Sequence, residues 1–279
     1  MTGVFWVNSS ACEIKYNGKV QYITFPEFNK IDFINHAIST RHGGVSDSEH
    51  TKSMNLGLKS EDTLKVVKEN YRLFCEATGI TFNNMVHANQ THSSNILKVT
   101  AKDKGKGLFS MRDYNDIDGL ITNEPNIPLV ILTADCVPVL YCDTKHKVIG
   151  AAHCGWRGTY SLLQTKMIDE MKNSYGSNVK DIKIAIAPSV KSCCYEVSKE
   201  LYEDFKANIG YYSNGFCERQ GRYYLDLQEI NKALLMNCGI LEENIFLSDI
   251  CTCCNSNDLF SHRVMGFKRG MIASVIEIK

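Results

Sequence analysis

Proline and tryptophan are scarce in this 279-residue chain, at five and two residues. It has no low-complexity run, no long linker and no internal repeat. These absences argue against tethered modules and for one domain across residues 1–279. There is no charge excess either: Lys+Arg 31 balances Asp+Glu 31, so no field draws nucleic acid or a membrane surface. No apolar run approaches membrane-spanning length. The first residues, Met1-Thr-Gly-Val-Phe-Trp6, have no basic segment leading into an apolar core, so no secretory leader is expected. The twelve cysteines therefore read as free thiols in a reducing, cytoplasmic setting. Hydrophobic content of 44% with 22% charged residues is that of an ordinary globular protein.

The chain is organised around residues 133–159. Val137-Pro-Val-Leu-Tyr141 and Lys147-Val-Ile-Gly-Ala-Ala152 read as strands, joined by a turn at Asp143-Thr-Lys-His146. If Thr144 and Lys145 are the central turn residues, Asp143 faces His146 and Cys136 faces His153. Pro138 then falls at a non-hydrogen-bonded position, as it must for want of an N–H. A facing cysteine and histidine are either two metal ligands or a Cys–His catalytic pair. Gly155-Trp-Arg-Gly158 follows at once, and a core needs neither that arginine nor two glycines at a strand exit.

Elsewhere, residues 1–35 read as short strands such as Lys19–Thr24, with a hairpin turn near Asn17-Gly18. Arg41 and His42 beside two glycines form a basic loop suited to an anion. A helix capped by Asp62 or Thr63 presents Leu64, Val67, Tyr71, Leu73 and Phe74 and stops near Gly79. His87 and His92 are five apart; in an extended segment they point to opposite faces, so at most one serves a given site. Strands are expected at Ile96–Val99, Ile127–Thr133, Lys183–Ala187, Asn244–Leu247 and Met271–Ile278. Further helices are expected from a Thr159 cap to about Tyr175, at Ser198–Asn208 and at Asp226–Asn237. Arg157 just before a helix start suits phosphate or carboxylate. Asp135 and Cys154 oppose each other on the face away from Cys136, which leaves both structural. Cys251, Cys253 and Cys254 have no matching Cys-x-x-Cys set elsewhere and read as free buried thiols rather than a closed zinc site.

Several motifs together carry a resemblance. They are Ser39-Thr-Arg-His-Gly-Gly44, Met54-Asn-Leu-Gly57, Gln90-Thr-His92, Thr133-Ala-Asp-Cys-Val-Pro138, Ala152-His-Cys-Gly-Trp-Arg-Gly158, Cys193-Cys-Tyr-Glu-Val197 and Cys251-Thr-Cys-Cys-Asn255. From about residue 33 onward the chain resembles the multicopper polyphenol oxidase-like, laccase-domain purine nucleoside phosphorylase family. It departs at Lys191-Ser192, where the family has Gly-Pro, and at Cys253 and His262, where the family has aromatics. The resemblance implies a mixed α/β fold with two packed mixed β-sheets flanked by helices, four layers in all. It implies metal ligands at His92, Cys136 and His153, a set that leaves one tetrahedral position open. Arg41, Asn55 and Arg157 are the implied contacts for substrate and phosphate, with Arg157 counted among the catalytic residues.

The activity implied is zinc-dependent phosphorolysis of purine nucleosides (adenosine, inosine and methylthioadenosine) with inorganic phosphate, and with deamination of adenosine beside it. Three other readings stand next to it. A copper-dependent polyphenol oxidase needs several histidine clusters, and this chain has eight histidines, mostly scattered; one Cys with two His suits zinc, though copper can enter such a site in vitro. A metal-free hydrolase would use Cys136 as nucleophile. A pure binding module is the last. The acid that protonates the departing base, the preferred nucleoside and the oligomeric state are not readable from the residues.

Overall fold

The computed structural model describes residues 11–58 and 60–279. The residues read for a leader, and any strand before residue 11, lie outside these. Two six-stranded mixed sheets pack face to face with helices on both outer faces, in the four layers expected. The first sheet runs, in spatial order, Glu13–Asn17, Val20–Thr24, Ile34–Ser39, Ile272–Ile278, Leu129–Thr133 and Val86–His87. The second runs Ile245–Leu247, Ile182–Ile186, Val137–Asp143, Val148–Cys154, Gly119–Thr122 and Ile96–Lys98. A small third sheet, Glu196–Val197 with the hairpin Phe216–Arg219 and Arg222–Leu225, has no counterpart in the sequence expectations.

The layering follows from side-chain alternation. Leu140, Cys142, Ile149 and Ala151 point between the sheets, against Ile38, Leu129, Ile131 and Ile276 of the first sheet. Their neighbours Val137, Val139, Tyr141, Val148 and Ala152 point outward onto helices Leu163–Tyr175 and Leu227–Asn237. Both central strands are buried along their whole length, which is why they show no polar alternation. On the far side, helix Leu64–Thr78 lays Val67, Tyr71 and Phe74 on the first sheet, each such burial contributing about 1.5–3 kcal/mol. That helix has the expected ends: the Thr63 hydroxyl accepts from the Val66 N–H, and Gly79 closes it at φ 73°.

Two local expectations are corrected. The hairpin register is shifted by two residues: Asp143 pairs with Val148, and His153 pairs with Pro138 rather than Cys136. A two-residue primed turn needs positive φ at its centre; here Lys147 alone supplies a positive φ, at 52°, and the loop widens to residues 144–147. Asp143 still caps its own turn, accepting from the Lys145 and His146 N–H groups. A shift of two preserves the face of every side chain, so Cys136 and His153 remain on one side of the sheet. Cys154 now opposes Val137 instead of Asp135. The His153 N–H turns away to the Asp118 carbonyl at 2.8 Å, so Pro138 forfeits no bond to that strand.

The second correction concerns the helix after His153. It is two helices, Trp156–Tyr160 and Leu163–Tyr175, broken at Leu162 with φ 60°. Thr159 is not a cap but lies inside the first, its hydroxyl donating to the Cys154 carbonyl at 3.1 Å.

Candidate metal centre

The chain passes from the first sheet to the second through Ala134-Asp135-Cys136, between the strands that end at Thr133 and begin at Val137. Asp135 adopts φ 91°, a conformation that costs a non-glycine residue about 1–3 kcal/mol. Its carboxylate accepts from the Thr252 hydroxyl and the Arg263 N–H, both at 2.6 Å, which holds the crossing in place. This assigns Asp135 the structural role read from the sequence. It also fixes Cys136 at the open end of the layer between the sheets.

There Cys136 meets His153 from the neighbouring strand and His92 from a loop. Their donor atoms all lie within 4.8 Å of one another. The Cys136 sulfur and His92 Nε2 are 3.8 Å apart, and the two imidazole centroids are 4.8 Å apart. Gly155 permits the convergence: a Cβ there would stand 3.0 Å from the Cys136 sulfur and 3.1 Å from the His92 ring.

Behind the three residues sits Asp118, fully buried. Its carboxylate takes the His153 Nδ1 hydrogen at 2.7 Å, which turns Nε2 toward Cys136. It also accepts from the N–H groups of Thr91, His92 and Ser93 and from the Ser93 hydroxyl. Three successive N–H groups closing on one carboxylate hold His92 at φ 67°. The role of Asp118 depends on residues 91–93, and an Asp-Gly turn gives no local sign of that.

The charges within this group reinforce one another. Burial pushes the Asp118 carboxyl up, but the hydrogen bond and charge of His153 and the donors of Thr91 and Ser93 outweigh it, leaving it at about 2. Burial opposes a charge on His153 too; the Cys136 thiolate and Asp118 prevail and raise it to about 9. Cys136, pushed up by burial, is brought down to about 6 by the two imidazoles, His153 foremost. Without metal, Cys136 and His153 thus each favour the charged form of the other, thiolate and imidazolium. A thiolate and two imidazoles on one centre, with the hydrogen of one ring fixed by a carboxylate, fit a soft divalent ion with one position open.

A cavity of about 380 Å³ opens onto this triad. Gln90, His92, Cys136 and His153 form its polar floor; Leu58, Leu132, Phe267 and Met271 supply apolar wall. Two cations reach it. Arg112 donates to the Ala88 carbonyl, while Arg269 keeps its buried Nε without a partner and holds Phe267 O at 3.5 Å. A wider depression of about 460 Å³ lies over the outer face of helix Leu64–Thr78 and carries no cluster of donor atoms or nucleophile.

The other sequence candidates lie elsewhere. The Arg41 guanidinium is bonded to the Lys52 and Ser256 carbonyls and rests on Phe260. Arg157 is exposed and stacks 4.1 Å from the Trp156 ring centroid. Asn55 is buried behind the cavity wall, accepting from the Gly57 and Met271 N–H groups and donating to Ser60 and Asp62. None of the three lines the cavity. His87 is buried against Tyr71 in the outer core, and burial holds it at about 3; of the two histidines, His92 is the one at the triad. Among the described residues, no helix is long and apolar enough to cross a membrane.

Comparison with known proteins places the fold and the family. A curated relative, purine nucleoside phosphorylase YlmD of Bacillus subtilis, is 34% identical over 248 residues, 86% of this chain and 87% of that protein. The crystal structure of the Bacillus licheniformis hypothetical protein YfiH superposes with TM-score 0.87 at 32% identity, covering 95% of this chain and 99% of that one. YlmD from Geobacillus stearothermophilus gives 0.86 at 28% identity, covering 95% and 98%. The family model described as multi-copper polyphenol oxidoreductase laccase matches residues 35–279, so the chain belongs to that family.

Proposed function

We propose that this protein is a purine nucleoside phosphorylase whose reaction takes place over His92, Cys136 and His153. One observation carries the reading: an open three-donor set converges on the floor of a mixed polar and apolar cavity that also holds two cations. The names of the relatives support the same class of reaction. A cavity of this size suits a small ligand such as a nucleoside.

In phosphorolysis the bond from C1′ to the purine nitrogen breaks, the base leaves with the electron pair, and a phosphate oxygen bonds to C1′. The chain must therefore hold an anion beside a developing ribosyl cation and keep water from competing. Arg269 supplies the anion grip: its partly buried guanidinium, with Nε unpartnered, lacks an acceptor that phosphate provides. Phe267, almost fully exposed beside the cavity, and Met271 offer an apolar platform for the purine. The same wall accepts the apolar thioether of methylthioadenosine. We take zinc to be the ion held by His92, Cys136 and His153; when bound it supplies Lewis-acid polarisation of a substrate oxygen. Asp118 fixes the His153 ring and keeps its Nε2 on the site. Asn55 holds the Met271 segment that closes the cavity. These assignments move phosphate to Arg269 from Arg41, whose guanidinium donates to main-chain carbonyls, and from Arg157, which stacks on Trp156 outside the cavity lining.

A second reading keeps one specific support. Cys136, His153 and Asp118 also form a nucleophile, base and orienting carboxylate. A nucleophilic thiol needs one imidazole, however, and here two converge on the sulfur, as ligands of one ion do.

The test offers inosine, adenosine and methylthioadenosine, each with and without phosphate, and resolves products by chromatography. Phosphate-dependent release of free base supports the reading. Base release indifferent to phosphate points to the hydrolase, and oxygen uptake with phenols to the oxidase. Conversion of adenosine to inosine would add deamination to the same site.

A further inference from the structure

Outside the cavity, a second group of donors comes together from two loops. The parallel pairing of strands Ile182–Ile186 and Ile245–Leu247 sends the chain out of the sheet at two adjacent places. The loops beyond run side by side: Ser189 N–H donates to the Ile250 carbonyl and Thr252 N–H to the Ser189 carbonyl. Each then closes a tight turn. In one, the Cys194 and Tyr195 N–H groups return to the Lys191 carbonyl; in the other, the Asn255 N–H and side-chain amide return to the Cys251 carbonyl. The turns deliver four sulfurs to one point. Those of Cys193, Cys194, Cys251 and Cys254 all lie within 4.8 Å of one another, with Cys254 at 3.4 Å from both Cys193 and Cys194.

The expectation of free buried thiols at Cys251, Cys253 and Cys254 holds for the free thiols but not for the burial of all three. Cys251 is buried, but Cys254 and Cys193 are exposed. Cys251-Thr-Cys-Cys254 is itself a Cys-x-x-Cys, and its partner pair is the adjacent Cys193-Cys194, a spacing the usual zinc patterns do not include.

We propose that Cys193, Cys194, Cys251 and Cys254 form a closed, mononuclear tetrathiolate site for zinc, separate from the triad. The dimensions select the occupant. Four sulfurs at about 2.3 Å from one ion stand roughly 3.8 Å apart, inside the spread seen here. A four-iron cluster carries its cysteines on the outside of a cube and needs sulfurs farther apart. A disulfide would use two sulfurs and give the other two no reason to converge. Zinc binding displaces four thiol protons and involves no electron transfer. The turn that carries Cys193 and Cys194 also bears Lys191, ion-paired with Asp249, and its Ser192 carbonyl accepts from Arg219, so two cations belong to or touch the segment that would hold the resulting double negative charge. The site would also reach the triad. Thr252, between Cys251 and Cys254, donates to Asp135, the neighbour of Cys136. Clamping the two turns fixes the far anchor of the crossing that carries Cys136.

The test is elemental analysis of tag-free protein together with two double variants. About two zinc ions per chain are expected in the native protein. Cys251→Ser with Cys254→Ser should remove one, and His92→Ala with His153→Ala should remove only the other. Cobalt(II) exchanged into native protein provides a readout that does not depend on any variant folding. Strong sulfur-to-cobalt charge transfer of a four-thiolate centre should appear, and it should persist in the histidine double variant. A native protein with one zinc, whose content the cysteine double variant leaves unchanged, would overturn the proposal. So would iron in place of zinc, or peptide mapping that finds Cys254 disulfide-linked to Cys193 or Cys194 in anaerobically purified protein.

Discussion

Among the described residues are two clusters of soft donors, built on different plans. The triad of His92, Cys136 and His153 lies at the end of the layer between the sheets, backed by a buried carboxylate and opening onto a cavity. Cys193, Cys194, Cys251 and Cys254 lie on two turns, Cys193 and Cys254 exposed, and none of them lines that cavity. Three donors with a supporting carboxylate leave a coordination position for chemistry; four thiols close the sphere and leave none. On the roles proposed above the difference is one of use: an open set suits action on a substrate, and a closed one suits holding loops together.

The comparison breaks most sharply by deleting a donor from each side. His92→Ala or His153→Ala should lower kcat/KM for inosine phosphorolysis by about three orders of magnitude or more, as loss of a catalytic ion does. Steady-state assays of these variants beside Cys254→Ser check this; an equal loss in all three would erase the distinction between the sites. Asp118→Asn comes next. It keeps the shape of the carboxylate but removes its charge from His153, and should cost roughly 10–100-fold in metal affinity or activity, read by chelator competition. The third effect is smaller and confined to one substrate. Arg269→Lys keeps the charge but loses the fork, and should raise KM for phosphate about tenfold with KM for nucleoside little changed. Equal rises in both would remove phosphate from Arg269.

The smallest effect separates Cys136 from Cys193 by pH in metal-free protein. Cys136 is held at about 6 by the two imidazoles against its burial. Burial and the neighbouring thiols push Cys193 up to about 12. After chelation, alkylation of Cys136 at pH 6.5 should run about fivefold faster than an ordinary thiol. Its rate should hold down to about pH 6 and fall below, as the thiolate takes up its proton. Cys193 should stay slow throughout that range. Peptide mapping after timed iodoacetamide labelling reads both, and restored zinc should protect Cys136.

Much of this was legible in the residues. Helix Leu64–Thr78 carries its cap, apolar stripe and terminal glycine locally, and the structure follows them. Cys136 and His153 were brought together by strand alternation even though the register was off by two, because a two-residue shift leaves the face unchanged. What stayed hidden depends on distant backbone. Asp118 acquires its partners from the 91–93 loop, Arg269 enters the cavity from a segment with no regular pattern, and the four sulfurs meet only because two strands far apart in sequence pair in parallel. Arg41 shows a related limit: a basic, glycine-rich loop suggests an anion site, while in the structure its guanidinium donates to the carbonyls of Lys52 and Ser256 and does not line the cavity.

The central claim, that the triad runs phosphorolysis, is tested most directly by turning over inosine with inorganic phosphate in ¹⁸O-labelled water. Phosphorolysis forms the new C1′–O bond from phosphate, so the sugar product should be ribose 1-phosphate with no label at C1′. Free ribose carrying ¹⁸O at C1′ would contradict the account and make water the nucleophile.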